Sequence, residues 1–310
     1  MADRDVSYFV LGGGGFIGTN LCRRLAGCGT RVRAFSRHFS FPDSMTGVDL
    51  HTGDFRDADA LAAAIEGFDI VYHLAHATPP QPANADMAAD ISNNVLPSLR
   101  LFDLCRKRGV KRIVFLSSGG TVYGRSDIVP TPETAPTEPI AAYGISKLMT
   151  EKYLALHEHL LGTDYRILRV TNPFGPFQTT IKQQGIVAML IARGLADEPI
   201  EIWGDGSTVR DYIYIDDVLD ALELVSQDRS EFRIFNIGRG EGHSLREIVG
   251  RIQNLLGKEL KLNWKDARPS DLPISIVSNA RAKDVLGWVP RIPLEKGLEE
   301  TIAWWRAVAR

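Results

Sequence analysis

The stretch Val6-Ser7-Tyr8-Phe9-Val10-Leu11, followed at once by Gly12-Gly13-Gly14-Gly15-Phe16-Ile17-Gly18, decides how the rest of this chain is read. A short, mostly apolar run of this kind suits a strand buried on both faces of a parallel sheet. Thr19 to Leu25 then read as a helix. Strand, glycine turn and helix in that order form an anion site, because N–H groups at the helix start face a pyrophosphate and glycine lets the backbone come close. The glycines that matter are three apart, at Gly12, Gly15 and Gly18, with Phe16 and Ile17 opening the helix beside them. In a loop such a cluster is only a flexible turn; straight after the first strand it points to a dinucleotide.

Outward from this unit, a second strand, Thr30 to Phe35, ends in Ser36-Arg37. An acid at that strand end would bind the adenosine ribose, whereas an arginine accommodates a 2′-phosphate. With no acid present, NADP(H) stands at least level with NAD, although a solvated loop arginine explains Arg37 equally well. After a further short strand, Asp54 and Phe55 stand where a carboxylate could meet the adenine amino group, and Asp57 suits a helix N-cap. Asp69 to His76 reads as the fourth strand, with Leu74, Ala75 and His76 at its cofactor end. Lys111 to Ser118 forms the next, and Gly119-Gly120-Thr121-Val122-Tyr123-Gly124 leaves it. Strands alternating with helical stretches predict an α/β fold, a doubly wound parallel sheet covered on both faces. Ligands bind outside the carboxyl ends of such strands, which makes Ser117, Ser118 and Thr121 candidates to bond a substrate oxygen.

A proline-rich loop, with Pro130, Pro132, Pro136 and Pro139, leads into Tyr143-Gly144-Ile145-Ser146-Lys147. Helical side chains four apart share a face, so Tyr143 and Lys147 lie together. A phenol ordinarily titrates near pH ~10, and an ammonium beside it, or the positive ring of an oxidised nicotinamide, favours the phenolate. Alone, this spacing is common on exposed helices; beside a dinucleotide turn it makes Tyr143 an acid/base for a sugar hydroxyl.

Composition limits the alternatives. At 310 residues with 44% hydrophobic and 24% charged the chain can bury a full core, which excludes a disordered or fibrous protein. A net charge of −2 gives no general pull on nucleic acid or anionic membrane, so neither is an expected partner. Cys22, Cys28 and Cys105 lack metal spacing and an even framework, as suits free thiols in a reducing compartment. No apolar stretch approaches membrane-spanning length, and the expectation is a cytoplasmic protein. None of the seven histidines shows ligand spacing, and Asp216-Asp217 read as a helix N-terminus, so no metal is expected.

The helix from about Asp90 to Lys107 carries Val95, Leu96, Leu99, Leu101, Phe102, Leu104 and Cys105 around its whole circumference. Such a helix must be buried on more than its sheet side. With the broadly apolar Tyr143 helix it suggests a homodimer through a four-helix interface; a thicker monomer core is the other reading.

Together the glycine turn, the Ser117-Ser118 strand end with Val122-Tyr123-Gly124, and the Tyr143/Lys147 pair resemble the extended short-chain dehydrogenase/reductase family. The likeness is to its NAD-dependent epimerase/dehydratase branch, of the UDP-glucose (UDP-galactose) 4-epimerase type, and runs over nearly the whole chain. The resemblance implies Tyr143 as acid/base, Lys147 on the nicotinamide ribose, and Asn94 and Ser117 in the cofactor shell. It extends to Leu168–Pro176, where Asn172 would meet the sugar nucleotide, and to Gln184-Gly185-Ile186, the start of a supporting helix. Arg210 and Arg268 would clamp the diphosphate and Asp271 the nucleoside ribose. Two guanidinium forks from separate loops suit phosphate oxygens. Two positions depart from the pattern: Gly119 replaces the usual catalytic serine or threonine, leaving that role to Ser118 or Thr121, and His76 replaces a small residue beside the cofactor.

The resemblance implies a nucleotide-sugar 4-epimerase passing through a 4-keto intermediate with tightly held NAD or NADP. The runner-up is an NADPH-dependent 4-keto reductase of a 6-deoxy sugar nucleotide, which Ser36-Arg37 favours. A 4,6-dehydratase lacks its Asp-Glu pair, since Gly120-Thr121 stand there, and a binder without catalysis has no use for Tyr143 and Lys147. The expected division is a Rossmann lobe of residues 1–173 plus 210–236 and a smaller C-terminal α/β substrate lobe of 174–209 plus 237–310.

Overall fold

The computed structural model describes residues 6–78, 80–180, 185–267 and 271–308. In chain order the first half comprises β1 (Tyr8–Leu11), α1 (Phe16–Gly27), β2 (Val32–Ser36), β3 (Asp49–Thr52), α2 (Ala58–Ala64), β4 (Ile70–His73), α3 (Pro80–Ala85), α4 (Met87–Asp90), α5 (Leu96–Lys107), β5 (Arg112–Ser118) and α6 (Ala142–Leu161). There follow β6 (Tyr165–Val170), β7 (Asn172–Phe174), α7 (Ile186–Leu195), β8 (Ile200–Trp203), β9 (Val209–Arg210), β10 (Tyr212–Tyr214), α8 (Ile215–Gln227) and β11 (Ile234–Ile237). Last come β12 (His243–Ser244), α9 (Leu245–Leu256), β13 (Leu262–Lys265), β14 (Ile274–Ser275), α10 (Ala280–Leu286) and α11 (Leu294–Val308).

Seven strands form one sheet in the order β11-β6-β5-β4-β1-β2-β3, and every pairing in it is parallel. This is the doubly wound sheet that the alternation of strands and helices predicts. β1 lies inside the sheet, between β4 and β2, and is buried throughout, as its unbroken apolar run requires. Because side chains alternate across a strand, Tyr8 and Val10 join the core under α1 and α8, whereas Phe9 and Leu11 join the core under α2, α5 and α6. The first core continues without a break into Leu190, Ile252 and Ile302 of α7, α9 and α11. Strand order reverses between β1 and β4, so the crevice above their carboxyl ends is where a ligand is best received.

The helix expected from Asp90 to Lys107 is longer and not uniform. α4 runs into a wide, π-type turn at Ile91–Val95 and then into α5. Its apolar circumference is mostly spent on the chain's own core: Val95, Leu101, Phe102 and Cys105 are buried, and of the seven positions only Leu96 is exposed. The unpartnered apolar face belongs to α6, where Ile145, Tyr153, Leu156 and Leu160 are exposed. Among the described residues no helix is long and apolar enough to cross a membrane.

Candidate active site

The glycine turn is shaped by contacts that allow no side chain. Gly12 has φ +88°, and a Cβ there would lie 2.8 Å from the Ala75 amide nitrogen, at the exit of β4. A Cβ on Gly18 would strike the Gly12 carbonyl oxygen, and one on Gly14 would stand 2.9 Å from Ser36 Oγ. Gly15 caps α1 with no side-chain bond, and no acid occupies the first turn where Phe16 and Ile17 begin the helix. The positive end of α1 is therefore offered to an anion over a floor the backbone alone provides, which fits a dinucleotide pyrophosphate. Leu74 and Ala75 lie alongside, with the Leu74 N–H donating to the Leu11 carbonyl at 2.9 Å.

At the end of β2, Arg37 is exposed, and Asp54 is held by a residue the sequence reading passed over. Arg56 bonds Asp54 in a fork, Nε to Oδ1 at 3.0 Å and Nη2 to Oδ2 at 2.6 Å, and keeps its carboxyl below the ordinary range, with a smaller contribution from Arg37. The signal was the i, i+2 spacing of acid and arginine across a turn. Asp57 caps α2, accepting from the Asp59 and Ala60 N–H groups. Phe55 is buried against the His73 ring, 5.9 Å away.

Tyr143 opens α6 directly above this crevice. The ring of His76 stands edge-on to it at 4.6 Å, and Lys147 Nζ lies 5.7 Å from the centre of the phenol ring while donating to the Leu116 carbonyl at 2.8 Å. Sequence reasoning expects the ammonium to favour the phenolate. In the folded chain burial outweighs it: the Tyr143 hydroxyl is pushed up to about 12, first by burial and then by the Asp90 charge, and burial draws Lys147 down to about 7. An active phenolate therefore needs further positive charge close by, such as an oxidised nicotinamide ring supplies.

Beneath the pair runs a buried polar network that no spacing rule revealed. Arg169 donates to Glu151 at 2.6 Å and to the Tyr123 hydroxyl at 2.8 Å, and Tyr123 donates to Asn236 at 2.7 Å. The Ser117 hydroxyl donates to Glu151 in this network, which ties the end of β5 to α6. Asn94 is likewise engaged: it accepts from the Ala77 N–H at 2.6 Å and donates to Asp90 Oδ1 at 2.9 Å, fixing the loop after β4. Thr121 keeps a buried hydroxyl with no hydrogen-bond partner among the described residues, and its carbonyl packs on Gly144, one residue past Tyr143. Ser118 ends β5 half-buried. Gly119 has no room for the missing serine, because a Cβ would stand 2.8 Å from the Arg169 carbonyl oxygen and 3.1 Å from Val277 Cγ1.

Two of the residues expected on the sugar nucleotide, Asn172 and Arg210, stand in small sheets apart from the seven-stranded one. Asn172 in β7 is the register partner of Tyr212 in β10, and its amide donates to the Asp211 carbonyl at 3.1 Å. Arg210 in β9 pairs with His243 on one side and Ser275 on the other. Burial draws its guanidinium down, and the charge of Asp271 opposes this, which brings those two expected residues together. A Cβ on Gly120 would meet Ser275 Oγ at 3.8 Å, so the β5 exit loop touches the strand that carries Arg210 alongside it. Gly185, at φ +85°, caps α7, which Ile186 begins. Arg268 and Gln184 lie outside the described residues. Asp216 and Asp217 stand in the first turn of α8, and Asp217 accepts from the Arg291 N–H at 2.8 Å; no metal-binding cluster occurs among the described residues.

Residues 8–238 match the model of the NAD dependent epimerase/dehydratase family. The chain belongs to that family. It is 32% identical over 308 residues to a UDP-glucose 4-epimerase of Mycolicibacterium smegmatis, covering 96% of this chain and 97% of the relative. It is 34% identical over 232 residues to a dTDP-4-dehydro-6-deoxyglucose reductase of Escherichia coli, covering 75% and 73%. A UDP-glucose 4-epimerase of Thermotoga maritima, solved with UDP-glucose, superposes with a TM-score of 0.94 at 32% identity, over 98% of this chain and 100% of that one. As a member of the NAD dependent epimerase/dehydratase family the chain is an enzyme of the short-chain dehydrogenase/reductase type. The glycine cradle would hold the dinucleotide's pyrophosphate, and Tyr143 and Lys147 would face its nicotinamide end.

Proposed function

We propose that this protein is a nucleotide-sugar 4-epimerase of the UDP-hexose type, working through a transient 4-keto sugar. The observation that carries the reading is the placement of Tyr143 and Lys147 on one face of α6 above the carboxyl ends of β4 and β5. A nicotinamide dinucleotide held over the glycine turn and the start of α1 would supply a reversible hydride acceptor for C4 of the sugar. Tyr143, as phenolate, accepts the proton of the 4-hydroxyl, and returns it when the ketone is reduced. Lys147 would hold the nicotinamide ribose, and the hydroxyl of Thr121, without a hydrogen-bond partner among the described residues, bonds the sugar oxygen in place of a serine at 119. Arg210, with Arg268, binds the diphosphate while the keto sugar turns over, and Asn172 and Asp271 bind the rest of the nucleotide. In this reading segments 174–209 and 237–310 form the sugar-nucleotide side.

A second reading, a one-way NADPH-dependent 4-keto reductase, is favoured by Ser36-Arg37 beside the glycine turn and by the Escherichia coli relative. One experiment separates them. Purified protein incubated with UDP-glucose and no added cofactor is expected to form UDP-galactose, with NAD as the dinucleotide that mass analysis finds retained. Conversion only of a 4-keto sugar, and only with NADPH supplied, would overturn the epimerase.

The exposed stripe of Ile145, Tyr153, Leu156 and Leu160 on α6 further supports a homodimer in which α5 and α6 of two copies pack together. Light scattering is expected to give the dimer mass for the wild type and the monomer mass for Leu156→Glu. A monomeric wild type would remove this proposal.

A further inference from the structure

His76 and Asp90 stand together against the Tyr143 phenol. Asp90, at the end of α4, is fully buried, with 0% of its surface exposed. Its carboxylate accepts from Ser146, the neighbour of Lys147 on α6, from Asn94 Nδ2 at 2.9 Å, and pairs with His76 Nε2 at 3.5 Å. The wide turn at Ile91–Val95 follows Asp90 immediately and includes Asn94, so the irregular part of the helix is what holds this carboxylate. His76 in turn has its ring 4.6 Å from that of Tyr143, at 72° between planes. The imidazole thus stands against both the carboxylate and the phenol ring.

Resting on the epimerase reading, we propose that His76, held by Asp90, is a positioning residue that shields the Tyr143 hydroxyl from the Asp90 charge and so keeps the phenol able to release its proton. A bare carboxylate beside a buried phenol resists a second negative charge, and an imidazolium against both cancels most of that repulsion. The Asp90 charge does act against Tyr143 ionisation, after burial itself. Of the other groups facing the pair, Lys147 also feels the Asp90 charge, so the His76 contribution is read as a difference between variants. From β4, His73 is held neutral by burial and shares a bond of 2.8 Å with Ser98 Oγ. From α6, Lys147 is committed to the Leu116 carbonyl, and Glu151, a turn further along, is committed to Arg169.

Two readouts test the assignment. The His76 ring resonance, assigned by comparison with His76→Gln, is followed by proton NMR against pH; Asp90→Asn is expected to lower its midpoint by about one unit. In the pH profile of turnover, His76→Gln is expected to move the limb that reports Tyr143 ionisation upward by about one unit, and adding Asp90→Asn to bring it back. A side chain needed only for packing would lower turnover equally at every pH, and that result overturns the proposal, as does a His76 midpoint indifferent to Asp90→Asn. Either substitution, if it prevents folding, is replaced by Asp90→Ser or His76→Asn and read in the same way. If no sugar nucleotide turns over at all, the epimerase reading has failed, and the NMR midpoint still decides whether Asp90 holds His76 charged beside the phenol.

Discussion

Replacing Tyr143 with phenylalanine is expected to lower turnover by roughly a hundredfold or more and to leave dinucleotide binding intact, as removal of a positioned acid/base does. The substitution deletes one oxygen and leaves the edge contact with His76 available to the ring. Cofactor binding depends on elements this change does not touch, the glycine turn and the start of α1. Binding is followed by quenching of tryptophan fluorescence and turnover by conversion of UDP-glucose. Near-normal turnover would remove Tyr143 from the chemistry; lost binding would mean that the phenol serves the cofactor and not the sugar. Because burial lifts this hydroxyl to about 12, wild-type turnover should also rise with pH toward the alkaline side, an upward limb that the phenylalanine variant should lack.

The largest effect on stability is expected at Glu151. Its carboxylate and the Arg169 guanidinium are both almost fully enclosed, with side chains 2% and 3% exposed, and Ser117 and Tyr123 complete their bonding. Removing one member of such a pair strands the other charge in a dry interior, at a cost of about 3–5 kcal/mol. Glu151→Ala should therefore lower the urea midpoint steeply, whereas a loss under ~1 kcal/mol would show that water reaches the site and that the pair is dispensable. The network also bears on the chemistry, since Glu151 lies one turn beyond Lys147 and joins α6 to β5 and β6.

The sheet and the glycine turn were legible because they are written in local pattern: alternation of strands with helices, an unbroken apolar run in β1, glycines where a Cβ has no space. Helices α9 and α11 are likewise amphipathic, burying Leu245, Ile248 and Ile252 and Leu294, Leu298 and Ile302 at helical spacing. The buried groups were not legible. Glu151 and Arg169 are 18 positions apart and meet only through the packing of α6 on β6, so each alone looks like a surface charge. Asp90 read as an ordinary helix start because the widened turn after it has no residue signature. The all-round apolar character of α5 suggested a partner, yet most of it faces the chain's own core, because periodicity counts apolar positions without saying what covers them. Ser117 and Thr121 show the same limit: both stand near a strand end where ligands bind, and only the fold reveals that one hydroxyl is already taken and the other is not.

The crowding around Gly119 limits what substitution can do at that position. A side chain placed at this position would stand 2.8 Å from the Arg169 carbonyl oxygen before it met Val277, which comes from a segment more than a hundred residues downstream. Trimming Val277 alone would not make room, because the nearer obstacle is main chain. What bars a side chain here is therefore the course of β6, which no single distant substitution removes.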